Sequence, residues 1–280
     1  MEIAIASIFV GLAIGLVVGT LGAGSVFAVP VLVYILGQNP HAASVSSLLI
    51  ALATALTSIV HHARSKHVVW GRGLVYGLIS IIGAFVGSRS ALLIPGWLLM
   101  VLFGLMLLTV AVLMGYKGIS LRRKESAAAS LVRVPEAGGS VPDAPDAPVS
   151  MKAAPTSISI VKVALAALCT GFLTGFFGVG GGFVVVPMLV LVLGLDIKKA
   201  SGTSLLVMVI ASASSLISRI GTNVVIDWQV TILFTVGSAV GGLLGGPLSA
   251  KARPSTLTLL FSVLLTVVSV FTLIQNALGN

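Results

Sequence analysis

Residues 171–187 read G-F-L-T-G-F-F-G-V-G-G-G-F-V-V-V-P, a glycine-dense interruption inside otherwise apolar sequence. An imperfect copy at residues 15–30 reads G-L-V-V-G-T-L-G-A-G-S-V-F-A-V-P. In water such a run suggests a phosphate loop. No Lys-Ser/Thr follows it, however, and no alternating strand–helix pattern surrounds it, so a P-loop or dinucleotide site is a poor fit. Which solvent surrounds the run is decided by composition.

The 280 residues are 57% hydrophobic and 8% charged, with a mean hydropathy of +1.17. Soluble domains carry roughly 25% charged residues. The apolar sequence recurs in runs of about 20 residues, the length a helix needs to cross a ~30 Å hydrocarbon core. The fold class is therefore an all-α polytopic membrane protein. The net charge of +9 is placed in short segments between apolar runs, a loop bias rather than a nucleic-acid surface. The single cysteine, Cys169, allows no intrachain disulfide and no cysteine metal cluster. The first apolar run, from Ile3, lacks a basic n-region and a cleavage pattern, and reads as a retained helix.

Apolar segments fall at about 3–21, 26–37, 42–60, 73–93 and 97–116, and again at about 161–177, 183–195, 202–218, 229–250 and 255–275. Residues 117–160 between the sets carry Arg122, Arg123 and Lys124, four of the seven acids and the passage P-D-A-P-D-A-P. That composition buries too little surface to fold and predicts a solvated cytoplasmic linker. The chain thus divides into an N-terminal membrane repeat (1–116), the linker (117–160) and a C-terminal membrane repeat (161–280).

The two sets are repeats. Gly19, Gly22 and Gly24 match Gly175, Gly178 and Gly180. With a one-residue shift, Pro30 matches Pro187 and Ser44-x-Ser46-Ser47-Leu48 matches Ser201-x-Thr203-Ser204-Leu205. Trp70, Gly83 and Gly87 match Trp228, Gly241 and Gly245. Five elements per half place the second half upside down relative to the first. Arg64, Lys66, Arg72, Lys198, Lys199, Lys251 and Arg253 then share the linker's side, as the positive-inside rule asks, and only Arg219 and Arg89 oppose it. The expected architecture is two inverted repeats, each a Gly-broken helical hairpin plus three transmembrane helices. Segments 26–37 and 183–195 are short for full spans and fit half-helices.

Broken segments at matching positions of two halves are the sequence pointer to a transporter site. Gly22 and Gly24 with Ser25 in the first copy, and Gly178, Gly180, Gly181 and Gly182 in the second, offer free N–H groups at helix N-termini, which attract anions. Gly15/Gly19 and Gly171/Gly175 fit close helix packing instead. Ser46, Ser47, Thr203 and Ser204 could donate hydroxyl protons to the same anion, or else cap and cross-link helices. Arg219 ends the 202–218 segment where His61 and His62 stand in the first half. Arg219 is a candidate anion contact, and His61 and His62 are candidates for proton exchange near neutral pH. No intramembrane carboxylate, nucleophile–base set or metal cluster is evident, so no enzyme, cofactor or metal is expected.

The pattern G-x-x-G-x-G-G-G-x-x-x-V-P-x-L (Gly175–Leu189), its N-terminal counterpart and A-S-G-T-S-L at 200–205 resemble the TauE/SafE family, also called the 4-toluene sulfonate uptake permease family. The resemblance covers both halves. It implies a multi-pass protein, of the inner membrane in bacteria, moving sulfite, organosulfonates or related sulfur oxyanions. The family motif carries over onto Gly178, Gly180, Gly181, Gly182, Pro187, Thr203 and Ser204, whereas Ala23 and Ser25 interrupt the first copy. The expected function is a secondary transporter of small anions working by alternating access around the glycine breaks, with the bilayer as partner; direction and coupling stay open between a proton symported through His61 or His62 and anion efflux down the membrane potential with no partner ion. An anion channel and a non-transporting membrane scaffold are the alternatives. Oligomeric state is not encoded in these motifs.

Overall fold

The computed structural model describes residues 2–22, 24–131, 160–222, 224–251 and 254–278. Ala23, Arg253 and most of the expected linker (132–159) lie outside the described residues. The described residues form helices and connecting turns, with no strand among them.

Among the described residues each half supplies five helical elements. In the first, α1 (Glu2–Leu21) leads into the short helix α2, which is made of a 3₁₀ turn (Gly24–Phe27), one α-turn (Ala28–Pro30) and a π-turn (Val31–Ile35). Three long helices follow: α3 (Pro40–Arg64), α4 (Trp70–Ala91) and α5 (Gly96–Leu131). In the second half α6 (Ile160–Phe177) leads into the short α7 (Gly182–Leu191), then α8 (Ile197–Ser218), α9 (Trp228–Lys251) and α10 (Pro254–Ala277). Helix α5 runs on past residue 116, where the sequence places the linker. Its extension, K-G-I-S-L-R-R-K-E-S-A-A-A-S-L, is rich in Leu, Lys, Arg and Ala, which favour helix without tertiary packing.

Among the described residues, seven helices are long and apolar enough to cross a membrane: α3, α4, α5, α6, α8, α9 and α10. Helix α7 has 10 residues, so it reaches only ~15 Å, half a hydrocarbon core. Large apolar side chains such as Leu74, Leu78, Ile82, Phe85, Ile232, Val236 and Val240 point outward. That is the surface expected of helices solvated by lipid.

The packing is closed under exchange of the halves. Helix α1 packs on α9 as α6 packs on α4, α3 on α9 as α8 on α4, and α3 meets α8 while α5 meets α10. Glycines set these contacts. Gly11, Gly15 and Gly19 meet Phe234, Ser238 and Gly242 in turn, so α1 and α9 run in the same direction. Gly83 and Gly87 meet Leu168 and Phe172, so α4 and α6 do likewise. Gly104, Gly115 and Gly118 meet Leu273, Ser262 and Leu259, so the two copies of the fifth helix, α5 and α10, run in opposite directions. At Gly15 an added Cβ would sit 2.0 Å from the Ser238 carbonyl oxygen, and at Gly171 one would sit 2.1 Å from that of Ser80. Backbone is touching backbone, as the small-xxx-small spacing predicts.

The core follows from this interlock. Phe103 of α5 lies 5.5 Å from Phe177 and 6.1 Å from Phe183, ring centre to centre, which fastens the second glycine break to the α5/α10 pair. One end of the bundle gathers Asn39, His41, Leu92, Thr222 and Val224 around a cavity of about 550 Å³. The other brings the His67 turn close to Asp196, Lys198 and Lys199. There, burial and the Lys198 cation push the His67 imidazole below its usual range.

Candidate functional site

Helices α1 and α6 end in the same way. The Gly22 N–H donates to Val18 O at 2.7 Å and the Gly178 N–H to Thr174 O at 2.9 Å. The backbone then turns left-handed, with φ of +70° at Gly22, +69° at Gly178, +65° at Gly180 and +74° at Gly181. Gly181 caps α7: its carbonyl accepts from both Val184 and Val185. The first amides of α7 have no carbonyl inside the helix to bind, which leaves a positive end at the break.

Each break is held by the opposite half. Ser47 Oγ donates to Gly178 O across the molecule. At the equivalent place Ser204 Oγ lies 3.2 Å from Gly22 O and shares its proton between that carbonyl and Ser201 O at 2.7 Å, while Ser201 Oγ donates to Leu21 O at 3.0 Å. Thr203 Oγ1 accepts the Val69 N–H at 3.0 Å, and Ser46 Oγ lies 2.9 Å from Thr231 Oγ1. Ser47 and Ser204, offered by the sequence as anion donors, therefore direct their hydroxyl protons to protein carbonyls in this conformation and fasten the breaks to α3 and α8, whereas Thr203 and Ser46 act as acceptors away from the breaks. Replacing Ser47 or Ser204 by alanine leaves a buried break carbonyl without its donor. Each change is expected to cost about 1 kcal/mol, and the pair about twice that. Thermal unfolding of the purified protein reads this directly; a double variant melting like wild type would dissociate the hydroxyls from break stability.

The two breaks also touch. Ser25 Oγ donates to Val179 O at 2.7 Å and lies 3.7 Å from Met208 Sδ. A Cβ on Gly180 would meet Ala51 Cβ at 2.3 Å and Met208 Sδ at 3.2 Å. Ala51 and Met208 follow Ser47 and Ser204 by one helical turn, so they line the same faces of α3 and α8. Gly22, Ser25, Gly178, Gly180, Ser47 and Ser204 thus converge, while Gly24 starts the 3₁₀ turn and Gly182 begins α7 beside them. Ala51, Met208 and the Val179 carbonyl are not singled out by the sequence reading. The signal available was the repeat register itself, carried one turn beyond the matched serines.

Arg219 and the histidines lie outside this centre. Arg219 is buried at 5% exposure. Its Nε donates to Ser88 Oγ at 2.8 Å and its Nη2 to Gly175 O at 3.1 Å, both neutral partners. Its Nη1 is buried without a hydrogen-bond partner. It lines a cavity of about 370 Å³ that adjoins the larger end cavity through Thr222 and Val224. His62, fully buried, places Nε2 2.9 Å from Gly19 O, and its Nδ1 has no partner. His61 packs its ring against Gly246.

The family model for sulfite exporters of the TauE/SafE type matches residues 7–272. A "Probable membrane transporter protein" of Xylella fastidiosa (strain 9a5c) is 31% identical over 267 residues, covering 94% of this chain and 90% of its own. The "Probable membrane transporter protein YunE" of Bacillus subtilis (strain 168) is 26% identical, over 91% of this chain and 93% of its own. No solved structure matches. With a family model spanning nearly all of both halves, and relatives of similar length described as membrane transporters, the chain belongs to the TauE/SafE family of membrane transporters.

Proposed function

We propose that this chain is a secondary transporter of small anions, most simply sulfite, an organosulfonate or a related sulfur oxyanion, working by alternating access. The observation that carries the reading is the meeting of the two glycine breaks at Ser25 and Val179, each break held by a serine of the other half. Irregular backbone in a membrane bundle is tolerated where it is buried by protein or lines a passage. Paired breaks at a repeat interface are the arrangement transporters use to bind substrate.

The substrate class rests on the family's description and on chemistry. Helix N-termini and a guanidinium bind oxyanions without selecting among them. The placement in the inner membrane rests on the family resemblance, and that of residues 117–160 in the cytoplasm rests on charge. Arg64, Lys66, Lys198 and Lys199 would face inward, and residues 38–41 and 220–227 outward. Opposite directions of α5 and α10 support inverted repeats.

Proteoliposomes holding the full chain provide the test, with sulfite, thiosulfate, sulfoacetate and acetate as probes. Saturable flux of at least one sulfur anion, well above acetate, is expected. Equal, unsaturable flux of all four, or none, overturns the reading. Reporter fusions at residues 38–41 and 196–199 should fall on opposite sides, and both on one side would remove the inverted topology.

A further inference from the structure

His62 and Arg219 stand at equivalent positions of the two halves, two residues before the end of α3 and one residue after the end of α8. The register that pairs Ser44 with Ser201 and Ser47 with Ser204 pairs His62 with Arg219. Each grips the carbonyl of an equivalent glycine on the helix leading to a break. Arg219 Nη2 donates to Gly175 O at 3.1 Å, and His62 Nε2 lies 2.9 Å from Gly19 O. A carbonyl can only accept, so His62 Nε2 carries a proton. Each then has one buried nitrogen left over, Arg219 Nη1 and His62 Nδ1. The two sites differ in one respect: guanidinium is always charged and imidazole only when protonated.

A buried cation in a membrane bundle with an unpartnered donor is a functional site by default. Arg219 lines a 370 Å³ cavity that shares Thr222 and Val224 with the end cavity, which gives an anion a route toward its guanidinium. At His62 the bare Nδ1 can gain a proton only if something accepts the new N–H. An anion is such an acceptor. The surrounding groups do not supply one. His61 on α3 and His67 in the following turn face it at ring distances of 6.1 Å each, but neither ring is within hydrogen-bond distance of Nδ1, and His61 Nε2 is itself buried without a partner. Behind His67 stand Lys198 and Lys199 of α8 and Asp196, which acts on His67. From α1 the Gly19 carbonyl is already taken, and from α9 Gly246 lies against the neighbouring His61. Among the described residues no group of three His, Cys, Asp or Glu is placed to hold a metal ion.

We propose that Arg219 and His62 are equivalent anion posts, one per repeat, and that the His62 post binds its anion only together with a proton. The inference rests on the transporter reading and specifies its coupling. A proton from the water on the entry side accompanies the anion through the opened breaks and joins Nδ1, the N–H donates to the anion, and both leave when the far end opens. Each cycle moves one proton with one anion.

The test uses the full chain in proteoliposomes with sulfoacetate outside and a pH dye inside, at about pH 6 and about pH 8, because sulfoacetate keeps its charge across the range where imidazole titrates. Wild type should carry sulfoacetate several-fold faster at the lower pH and acidify the lumen in step with it. His62→Gln keeps a donor for Gly19 O but cannot take the proton. It should lose proton entry and flatten the pH profile. His62→Arg should carry the anion without pH dependence, and it decides the matter if the Gln variant fails to fold. Arg219→Gln should raise KM by about tenfold at both pH values, the loss of one charge-assisted contact, with the pH profile kept. A pH profile and proton entry unchanged in His62→Gln or His62→Arg overturn the proposal while leaving the transporter intact. Absence of any saturable flux in wild type overturns both.

Discussion

Replacing Gly180 by valine is expected to reduce anion flux by more than tenfold while the protein still inserts. At φ +65° an L side chain is strained, and the new Cβ would lie 2.3 Å from Ala51 Cβ and 3.2 Å from Met208 Sδ. The left-handed backbone costs roughly 1–2 kcal/mol for a residue with a side chain. The clash adds to that, and each 1.4 kcal/mol is a factor of ten in an equilibrium. The strain is confined to the junction of the two breaks, because α7 begins only at Gly182 and the long helix contacts lie elsewhere. Insertion should therefore survive and the rearrangement of the breaks should not. Ala51→Gly in the same chain removes the nearest contact and should restore part of the flux, since the φ strain remains. Radiotracer uptake in proteoliposomes, normalised to inserted protein, checks both. Wild-type flux in Gly180→Val would make the junction a packing detail.

Gly171→Leu has an equally large effect of a different kind. The side chain would enter the space occupied by the Ser80 carbonyl, 2.1 Å from its Cβ position. Helices α4 and α6 would have to separate along their length. Overpacking a core by extra methylenes costs 1–3 kcal/mol when side chains can shift. Here the obstacle is backbone, so a loss of about 3 kcal/mol or more is expected, seen as aggregation on size-exclusion chromatography and a large fall in melting temperature. Gly15→Leu should behave alike through the Ser238 carbonyl of α9. A Gly171→Leu protein that stays monodisperse and melts with wild type would contradict the packing assigned to these glycines. The two predictions separate glycines that hold helices together from glycines that shape the breaks.

Much of this arrangement is legible in the sequence because lipid removes choices. Apolar runs of helix length can only be helices there, and the repeat register by itself aligns Gly22 with Gly178 and Ser47 with Ser204. The short helices after each break, and the packing role of Gly15 and Gly171, follow from length and spacing. The partners across the molecule do not. That Ser47 reaches Gly178 and Ser204 reaches Gly22, rather than each serving its own half, depends on how the halves interlock. Periodicity within one segment carries no information about that. For the same reason the sequence presents these hydroxyls as free donors, whereas carbonyls exposed by the breaks claim them first. The helical continuation of α5 to Leu131 was hidden by charge and by the Pro-rich passage that follows, although its own residues favour helix. His62 and Arg219 were visible as neighbours of the repeat. Their shared grip on Gly19 and Gly175 emerges only from geometry.

Counterflow tests the central claim most directly. Proteoliposomes are preloaded with unlabelled sulfite, diluted into a trace of labelled sulfite, and the label inside is followed with time. Alternating access around the joined breaks predicts a transient overshoot of internal label, because exiting sulfite returns the carrier facing outward; Gly180→Val should abolish it. Monotonic equilibration without overshoot, for sulfite and for thiosulfate and sulfoacetate tested in the same way, would contradict a carrier and point to an open anion pathway.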